Sequence, residues 1–350
     1  FLVPRLGLVR TSLVFGMLNA VVGLWGTWLL EPMLKGRVGA LRVRGVLVLV
    51  MLAVALIKAD ALTALAEDEL YNDPIVYAKS TPYQRIVVTR SKDGFQLFLN
   101  GNRHLQFNSL DEYRYHEALV HPALSATTPK RVLVLGGGDG LALREILKYP
   151  SVQSVTLVDI DPEMTALAHK FPPLAELNQH AYDDPRVTVV NDDAMVWLEH
   201  SPAAGKFDAV IIDFPDPGTF ALGKLYTTRF YRILRNHLNP GAAVGIQCTS
   251  PFFARHSFWC IIRTMEAAGF HVHPYQVAVP SFGVWGFGLA RLEPFEPPTK
   301  VMPGLRFLND GVLASMFVMP DDLGPVEVEI NRLDNQILVR YHDSEWKRHE

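Results

Sequence analysis

The chain has 350 residues, of which 49% are hydrophobic and 20% charged, and its formal net charge is −3. This length allows one sizeable α/β domain with an appendage. The near-neutral charge argues against a nucleic-acid-binding protein, which would carry a basic stripe. The two cysteines, Cys248 and Cys260, make no disulfide framework and match no zinc spacing. We therefore expect a reducing compartment and no metal site.

The first 66 residues predict a membrane-spanning helical hairpin. Residues 12–30 carry no charge, are long enough to cross a bilayer, and place Trp25 and Trp28 near one end, where interfacial aromatics are expected. A second apolar run, residues 45–57, is short for a span, but the flanking Arg44 and Lys58 can snorkel. The alternative is a buried helical pair in a soluble protein.

Residues 67–125 predict a small β region that follows the hairpin. The acidic stretch 67–73 is typical of a linker. Residues 85–89 are rich in β-branched side chains, residues 91–94 have the composition of a hairpin turn, and residues 95–99 alternate before an Asn-Gly turn.

The segment 131–161, RVLVLGGGDGLALREILKYPSVQSVTLVDID, predicts a strand, a glycine turn, a helix and a second strand that ends on an acid. Gly136 and Gly138 permit a tight turn and close backbone approach, and the helix N-terminus offers free N–H groups. Asp159, about 20 residues on, can accept ribose hydroxyls. The turn lacks the Gly-Lys-Ser/Thr ending of a triphosphate loop, so we expect a nucleoside or sulfonium ligand. A glycine turn in an α/β protein without such a ligand is the alternative.

Strands and helices continue to alternate up to about residue 298, which predicts a doubly wound, mostly parallel sheet. We expect the catalytic domain to be residues 126–298, with a helix over 227–238 that Asn239-Pro240-Gly241 ends. Residues 299–350 form a C-terminal extension without a motif of assignable chemistry. Within it, residues 308–317 predict a short helix, and residues 326–330 and 336–341 predict a strand pair.

Acidic residues cluster where ligands bind in such sheets, beyond the carboxyl ends of the strands. They are Asp139, Asp159, Asp192, Asp213 and Asp216. Several carboxylates without a His/Cys set indicate a cationic ligand. Asp213 and Asp216 lie on a proline-stiffened loop and can face one pocket. The alternative is that Asp213 caps a helix or turn and that Asp216 is a surface residue. The aromatic residues that can form apolar and cation–π walls for an amine are Tyr113, Tyr115, Tyr226, Phe282 and Trp285.

From about residue 71 to residue 290 the chain resembles the polyamine aminopropyltransferases, the spermidine/spermine synthase family. The resemblance lies in YQRIVV (83–88), LNGNRHLQF (99–107), DEYRYHEALVHPAL (111–124), GGGDG (136–140), VDID (158–161) and the DxxDP of 213–217. It implies the sheet of S-adenosylmethionine-dependent transferases. The N-terminal hairpin resembles the subset in which a membrane region precedes the synthase domain.

The resemblance implies that a diamine nitrogen attacks the methylene next to the sulfonium of decarboxylated S-adenosylmethionine. The products would be a longer polyamine and methylthioadenosine, and no metal would take part. Donor-side roles are implied for Asp139 at the aminopropyl ammonium, Asp159 at the ribose, Asp192 at the adenine, and Gln84, Gly136 and Gly138 beside the donor. Amine-side roles are implied for Asp213 as base, Asp216 and Tyr115 at the reacting amine, and His116, Tyr226, Gln247, Phe282 and Trp285 around it.

Two departures from the family pattern affect the acceptor. Phe282 stands where many members have a tyrosine, and Cys248-Thr249-Ser250 follows Gln247 where several members offer an acid. Putrescine is the expected acceptor, which would give spermidine; cadaverine, spermidine or another amine are alternatives.

Two other functional classes remain as alternatives. An S-adenosylmethionine-dependent methyl or alkyl transferase shares the sheet and the glycine loop, but Asp139 and the DxxD pair speak against it. A non-catalytic, membrane-tethered polyamine sensor is disfavoured by the intact Asp213 and Tyr115.

The cellular location follows from two opposing arguments. The basic connection between the two apolar runs favours a cytoplasmic loop, which would place the catalytic domain outside the cell. The donor is a cytosolic metabolite and the cysteines are unpaired, so we expect a multi-pass protein of the inner membrane with its catalytic domain in the cytoplasm. The expected partners are a polyamine substrate, membrane lipid and further copies of the chain in a dimer or tetramer.

Overall fold

A computed structural model describes residues 3–33, 38–59, 70–100, 105–201 and 206–347. The chain divides into two compact units, Phe1–Gln106 and Phe107–Glu350.

The first unit begins with two packed helices, α1 (Val3–Leu29) and α2 (Val38–Ile57). Their stretches Val9–Leu29 and Val38–Ile57 are long and apolar enough to cross a membrane, and neither is buried within the described part of the chain. Arg42 on α2 donates to the Glu31 carboxylate at 2.7 Å and lies 4.7 Å from the centre of the Trp28 ring, which ties the two helices at one end. The predicted helical pair is present; its insertion in a membrane stays a prediction.

A small antiparallel sheet follows, with strand order β1-β2-β3-β4. The strands are β1 (Ile75–Ser80), β2 (Arg85–Arg90), β3 (Phe95–Leu99) and β4 (Leu105–Asn108). The predicted hairpin turn is confirmed, since the Ser91 amide donates to the Gly94 carbonyl at 2.9 Å. Residues 67–69 of the predicted linker and residues 101–104 of the next turn lie outside the described residues.

The second unit contains a seven-stranded sheet of order β10-β11-β9-β8-β5-β6-β7. Five neighbouring strands run parallel, and β10 and β11 are antiparallel at one edge, so the predicted mostly parallel sheet is confirmed. The strands are β5 (Arg131–Gly136), β6 (Ser154–Asp159), β7 (Val187–Asn191), β8 (Phe207–Asp213), β9 (Leu238–Gln247), β10 (His271–Val279) and β11 (Gly283–Arg291).

Apolar side chains alternate between two cores, one on each face of this sheet. On β5, Val132 and Val134 belong to one core, and Leu133 and Leu135 belong to the other, as the two-residue period of a strand requires. Helices α3, α4 and α11 contribute to the first core, and α7, α9, α10 and α12 to the second.

The helices of the second unit are α3 (Glu112–Ser125), α4 (Leu141–Leu147), α5 (Pro162–Lys170), α6 (Pro172–Leu177), α7 (Ala194–His200), α8 (Phe220–Gly223), α9 (Thr228–Arg235), α10 (Arg255–Ala267), α11 (Asp310–Met316) and α12 (Ile337–Trp346). Helix α3, which the sequence groups with the small β region, packs in this unit against β8, β9 and α4. The residues beyond 299 also belong to it. Both cysteines are free and buried.

The predicted helix over 227–238 is too long, because α9 ends at Arg235 and β9 begins at Leu238. Asn239-Pro240-Gly241 lies inside β9 rather than before it. The pairing with β8 shifts register there, from Phe207 opposite Leu238 to Ala209 opposite Ala243, and Gly241 has φ +73°. The extra residues form a bulge, where a proline needs no ladder partner.

The predicted strand pair in the extension is wrong. Residues 326–330 run extended but belong to neither sheet, and their apolar side chains Val326 and Val328 pack against a core cluster. Residues 336–341 begin α12, whose buried residues Leu338, Val339 and His342 have helical spacing. A short apolar run cannot distinguish a strand from a helix by period alone, and here packing against α10 decides.

The first prediction concerns Asn331, a fully buried residue that ties the extension to the loop after β8. Its Nδ2 donates to the carbonyls of Gly223 and Tyr226, both at 3.1 Å, and its Oδ1 accepts from the Leu338 amide at 3.3 Å. Asn331→Ala leaves these backbone groups without partners, so the free energy of unfolding should fall by about 2–4 kcal/mol in urea titrations followed by tryptophan fluorescence.

Asn236→Ala is the matched control, because the Asn236 side chain is exposed and a surface change shifts stability by about 0.5 kcal/mol or less. Equal stabilities of the two variants would contradict the structural role given to Asn331.

Candidate active site

The glycine turn after β5 packs directly against the ends of the neighbouring strands. Gly136 has φ +78°, and a Cβ there would lie 2.3 Å from the carbonyl oxygen of Asp213. A Cβ on Gly138 would lie 2.6 Å from Oδ2 of Asp159. Only glycine allows both approaches, so the turn brings the ends of β5, β6 and β8 into one site.

Asp159 ends β6 and is held by two backbone amides. Gly138 donates to its Oδ2 at 3.0 Å and Asp161 to its Oδ1 at 2.9 Å. Burial raises the pKa of Asp159 to about 6, although these two hydrogen bonds lower it. Asp192 is exposed at the end of the adjacent β7, and its amide donates to the Asp159 carbonyl at 3.2 Å. The two acids expected at the ribose and the adenine are therefore neighbours.

Four buried side chains from three elements, Tyr115, His116, Asp139 and Asp213, form a polar cluster at the centre of the rim. Tyr115 on α3 donates its hydroxyl to Oδ1 of Asp213 at 2.6 Å. One side-chain ligand atom from each of His116, Asp139 and Asp213 lies within 4.8 Å of the other two. Oδ2 of Asp213 and Nε2 of His116 are buried and have no hydrogen-bond partner among the described residues. Both atoms are therefore available to a ligand.

The pKa values in this site show why it attracts positive charge. Burial, and then the charge of Asp139, raises the pKa of Asp213 to about 6, and burial also raises the pKa of Asp139. Burial lowers the pKa of His116, but the hydrogen bond and charge of Glu112 outweigh it and raise the value to about 9. Two adjacent buried carboxyl groups ionise together only at a cost, which a cation relieves. With its pKa raised to about 9, His116 carries both ring protons at neutral pH, so the two carboxylates, and not this imidazole, accept a cation here.

A buried ion network fixes His116 through Nδ1, the ring nitrogen opposite Nε2. Its Nδ1 lies 2.9 Å from Oε2 of Glu112, and Arg144 donates to both oxygens of Glu112 at 2.8 and 2.9 Å. Arg144 also donates to Glu145 at 2.8 Å, and Glu145 contacts His121 at 2.8 Å. Sequence reasoning missed Glu112 and Arg144, although both stand inside or next to the quoted motifs, because charged residues on helices usually face solvent.

Asp216, on the loop after β8, is held by three side chains. Thr249 donates to its Oδ2 at 3.0 Å, Gln247 donates to its Oδ1 at 3.4 Å, and Nε2 of His342 lies 3.4 Å from Oδ2. Sequence reasoning also missed His342, because it lies in the extension to which no motif assigned chemistry.

Tyr226 and Gln247 support the loop that follows Asp213, the last residue of β8, and carries Asp216. Tyr226 is fully buried, and its hydroxyl donates to the Pro215 carbonyl at 3.1 Å. Gln247 donates to that hydroxyl at 2.8 Å and to the Phe214 carbonyl at 2.6 Å. Contact of either residue with an amine stays a prediction.

An aromatic wall flanks Tyr115. The Phe282 ring lies 6.0 Å from that of Tyr115 and 5.3 Å from that of Trp285, centre to centre. Nε1 of Trp285 is buried without a partner in the described part of the chain. Tyr113 is covered by Arg306, whose guanidinium lies 3.8 Å from its ring centre. Gln84 precedes β2 in the first unit, and its role stays a prediction.

Comparisons with known proteins identify the family of the chain. The family profile described as the spermine/spermidine synthase domain matches residues 112–296. The chain is 52% identical over 349 residues to the polyamine aminopropyltransferase of Leptospira interrogans, covering 99% of this chain and 69% of that protein. Polyamine aminopropyltransferase 2 of Ralstonia nicotianae is 51% identical, with 99% and 68% covered. The chain thus spans about two thirds of the length of these relatives.

Solved structures of 28% sequence identity share the fold. A spermidine synthase in complex with the transition state analogue AdoDATO matches with a TM-score of 0.64, covering 71% of this chain and 86% of that one. Spermidine synthase from Thermotoga maritima matches with a TM-score of 0.63, covering 71% and 85%. The chain belongs to the spermine/spermidine synthase family.

Proposed function

We propose that this protein transfers the aminopropyl group of decarboxylated S-adenosylmethionine to a diamine, and releases methylthioadenosine and a longer polyamine. One observation carries the proposal: Asp213 has one carboxylate oxygen fixed by Tyr115 and the other without a partner among the described residues, inside a buried cluster with Asp139 and His116. The names of the relatives and the analogue bound to the matched spermidine synthase support it.

The donor half of the proposed site follows the ends of β5, β6 and β7. Asp159 accepts the ribose hydroxyls beside the glycine turn at Gly136 and Gly138, and Asp192 faces the adenine. Asp139 accepts the aminopropyl ammonium. The same carboxylate opposes S-adenosylmethionine, which would bring its own carboxylate towards a buried acid.

The part of the proposed site that binds the acceptor amine lies at the carboxyl end of β8. A free alkylamine has a pKa of about 10, so it must lose a proton before it attacks. With a pKa of about 6, Asp213 is mostly ionised at pH 7, and its Oδ2 takes this proton while Tyr115 holds Oδ1. The nitrogen then bonds to the methylene carbon, and the C–S electron pair leaves with the sulfur of methylthioadenosine.

The remaining residues bind and orient the acceptor. Asp216 holds the amine, His116 lies next to Asp213, and Phe282 and Trp285 provide an apolar and cation–π wall. Tyr226 and Gln247 hold the backbone of the loop after β8 through their hydrogen bonds to its carbonyls. Putrescine is the proposed acceptor, and no metal is required by this mechanism.

The proposed location of the protein is the inner membrane. Helices α1 and α2 anchor the chain in the inner membrane, in contact with lipid, and the catalytic unit lies in the cytoplasm, where the donor is made. The two free, buried cysteines agree with a reducing compartment. The chain acts as a dimer or tetramer. The proposed divisions are residues 1–66 as the membrane region, 67–125 as the N-terminal β region with helix α3, which packs in the second unit, 126–298 as the catalytic domain and 299–350 as the extension.

The second prediction concerns the choice of donor by Asp139. Asp139→Asn keeps the side-chain size and the oxygen that accepts from the Leu141 amide at 3.0 Å, but it removes the charge. Binding of decarboxylated S-adenosylmethionine, measured by calorimetry, should weaken about 10- to 100-fold, and the preference over S-adenosylmethionine should shrink.

In the unmutated protein, the same titrations in two buffers of different ionisation heat should show proton release. The pKa of Asp213 is raised to about 6, so part of its carboxyl population carries a proton near pH 6, and an ammonium bound beside it drives that proton off. Equal affinity for the two sulfonium compounds, or proton uptake, would contradict the donor assignment.

The third prediction separates the roles of Asp213 and Asp216. Asp213→Asn keeps the shape but removes the proton acceptor, so kcat should fall by about 10²–10⁴ and recover in part as the pH rises and more free amine is neutral. Asp216→Asn should raise the KM for the amine with a smaller loss of kcat. The assay is methylthioadenosine release with a panel of diamines and triamines.

Two results would count against this mechanism. Full activity of Asp213→Asn at neutral pH would mean that another group is the base. No methylthioadenosine release by the unmutated protein with any amine would mean that the protein is a sensor or another transferase.

The fourth prediction concerns the membrane. Extraction of the full chain should require detergent, because α1 and α2 expose apolar side chains along their length. A shortened chain that begins near Glu67 should stay in the supernatant after centrifugation. Recovery of the full chain without detergent would show that the hairpin is not inserted.

A further inference from the structure

The carboxylate of Asp216 receives a contact from the far end of the chain. Nε2 of His342, on α12, lies 3.4 Å from Oδ2 of Asp216, and the two residues are 126 positions apart. The His342 side chain is 11% exposed and that of Asp216 is 22% exposed, so water screens the contact only in part. Thr249 donates to the same oxygen at 3.0 Å.

Helix α12 is docked tightly enough to fix the position of this imidazole. The Glu345 carboxylate accepts from the backbone amides of His256 and Ser257 at 2.7 and 3.0 Å, at the start of α10. The Trp346 ring lies 5.8 Å from the ring of His342. On the other side, a Cβ on Gly218 would lie 3.5 Å from the imidazole, so the ring fits closely against the loop that follows Asp216.

The donors on Asp216 restrict its rotation. Thr249 and His342 approach Oδ2, whereas Oδ1 receives a single long contact of 3.4 Å from Gln247. A carboxylate oxygen accepts more than one hydrogen bond, so Oδ1 keeps capacity for an incoming ammonium. Thr249 also stands in the Cys248-Thr249-Ser250 stretch that offers no carboxylate of its own. Asp216 is therefore the acid that accompanies the base Asp213 in the proposed amine site, and its orientation matters.

We propose that His342 is a positioning residue for the acceptor amine, and that the C-terminal helix α12 completes the amine site by holding Asp216. The inference rests on the proposed aminopropyl transfer. It adds a role for a part of the chain, residues 299–350, that lies wholly beyond the matched family domain.

The fifth prediction tests this role with His342→Phe, which keeps an aromatic ring against Gly218 and Trp346 but removes the N–H donor. The KM for the amine should rise about 3- to 10-fold, while kcat and the KM for the donor change less than about 2-fold. His342→Gln, which restores a donor group, should recover part of the amine KM, and it keeps the test decisive if the phenylalanine variant folds poorly.

A double-mutant cycle separates positioning from a purely structural role. In the Asp216→Asn background, His342→Phe should add less than about 2-fold to the amine KM, because the two residues act through one contact. His256→Phe is the matched control: His256 contacts Glu345 at 2.9 Å on the same helix interface, and the Asp216 contacts do not include it. This control should leave the amine KM unchanged.

The outcomes distinguish the inference from the function on which it rests. Normal methylthioadenosine release with an unchanged amine KM in His342→Phe overturns the role of His342 alone. The same follows if His256→Phe raises the KM equally, or if the effect of His342→Phe is undiminished in the Asp216→Asn background. No release by the unmutated protein with any amine overturns the proposed function and the inference together.

Discussion

The burial of Asp139 and Asp213 side by side is the constraint on which the rest of the site depends. Burial raises the pKa of both groups, and the charge of Asp139 raises that of Asp213 further, so the protein must stabilise charge that its own fold disfavours. Tyr115 donates to one oxygen of Asp213, and His116 adds a positive charge nearby. Ionising both carboxyl groups costs free energy when no ligand is bound. A bound cation reduces that cost, which suits a reaction between a sulfonium donor and an amine.

A second buried network makes that arrangement rigid. Glu112 lies between His116 and Arg144, and its pKa is lowered because the hydrogen bonds and charges of these two partners outweigh the opposing effect of burial. Removal of one member of such a network leaves an uncompensated buried charge, whereas the complete set holds one geometry. The network anchors α3, and α3 carries Tyr115, so the position of Asp213 depends on residues that do not touch its carboxylate.

Residues from the catalytic domain and from the C-terminal extension both fix the loop after β8. Tyr226 and Gln247 donate hydrogen bonds to its backbone carbonyls. From the extension, Asn331 donates to the Tyr226 carbonyl and His342 contacts the Asp216 carboxylate. Loops usually carry function because a rigid scaffold positions them, and here part of the scaffold is the C-terminal segment. The extension is thus integral to the second unit rather than an appendage to it.

The sequence by itself determined the order of elements around the glycine turn and the acids that follow the strands. This was predictable because residues 131–161 form one continuous segment in which period and glycine positions are local properties. The family resemblance likewise rested on short local motifs, which run from residue 83 to residue 217. Asp139, Asp159, Asp192 and Asp213 could be placed at one rim because parallel strands share a carboxyl edge.

Tertiary structure decided the rest, because the contacts concerned join residues far apart in the chain. Tyr115 and Asp213 are separated by 98 positions, and Asp216 and His342 by 126. No local pattern distinguishes α12 from a strand; its packing against α10 does so. Likewise, Asn239-Pro240-Gly241 has the composition of a stop signal, and the pairing of β9 with β8 turns it into a bulge. Tyr226 is buried beneath the loop because the DFPDP backbone offers carbonyl partners to its hydroxyl, which the spacing of residues could not reveal.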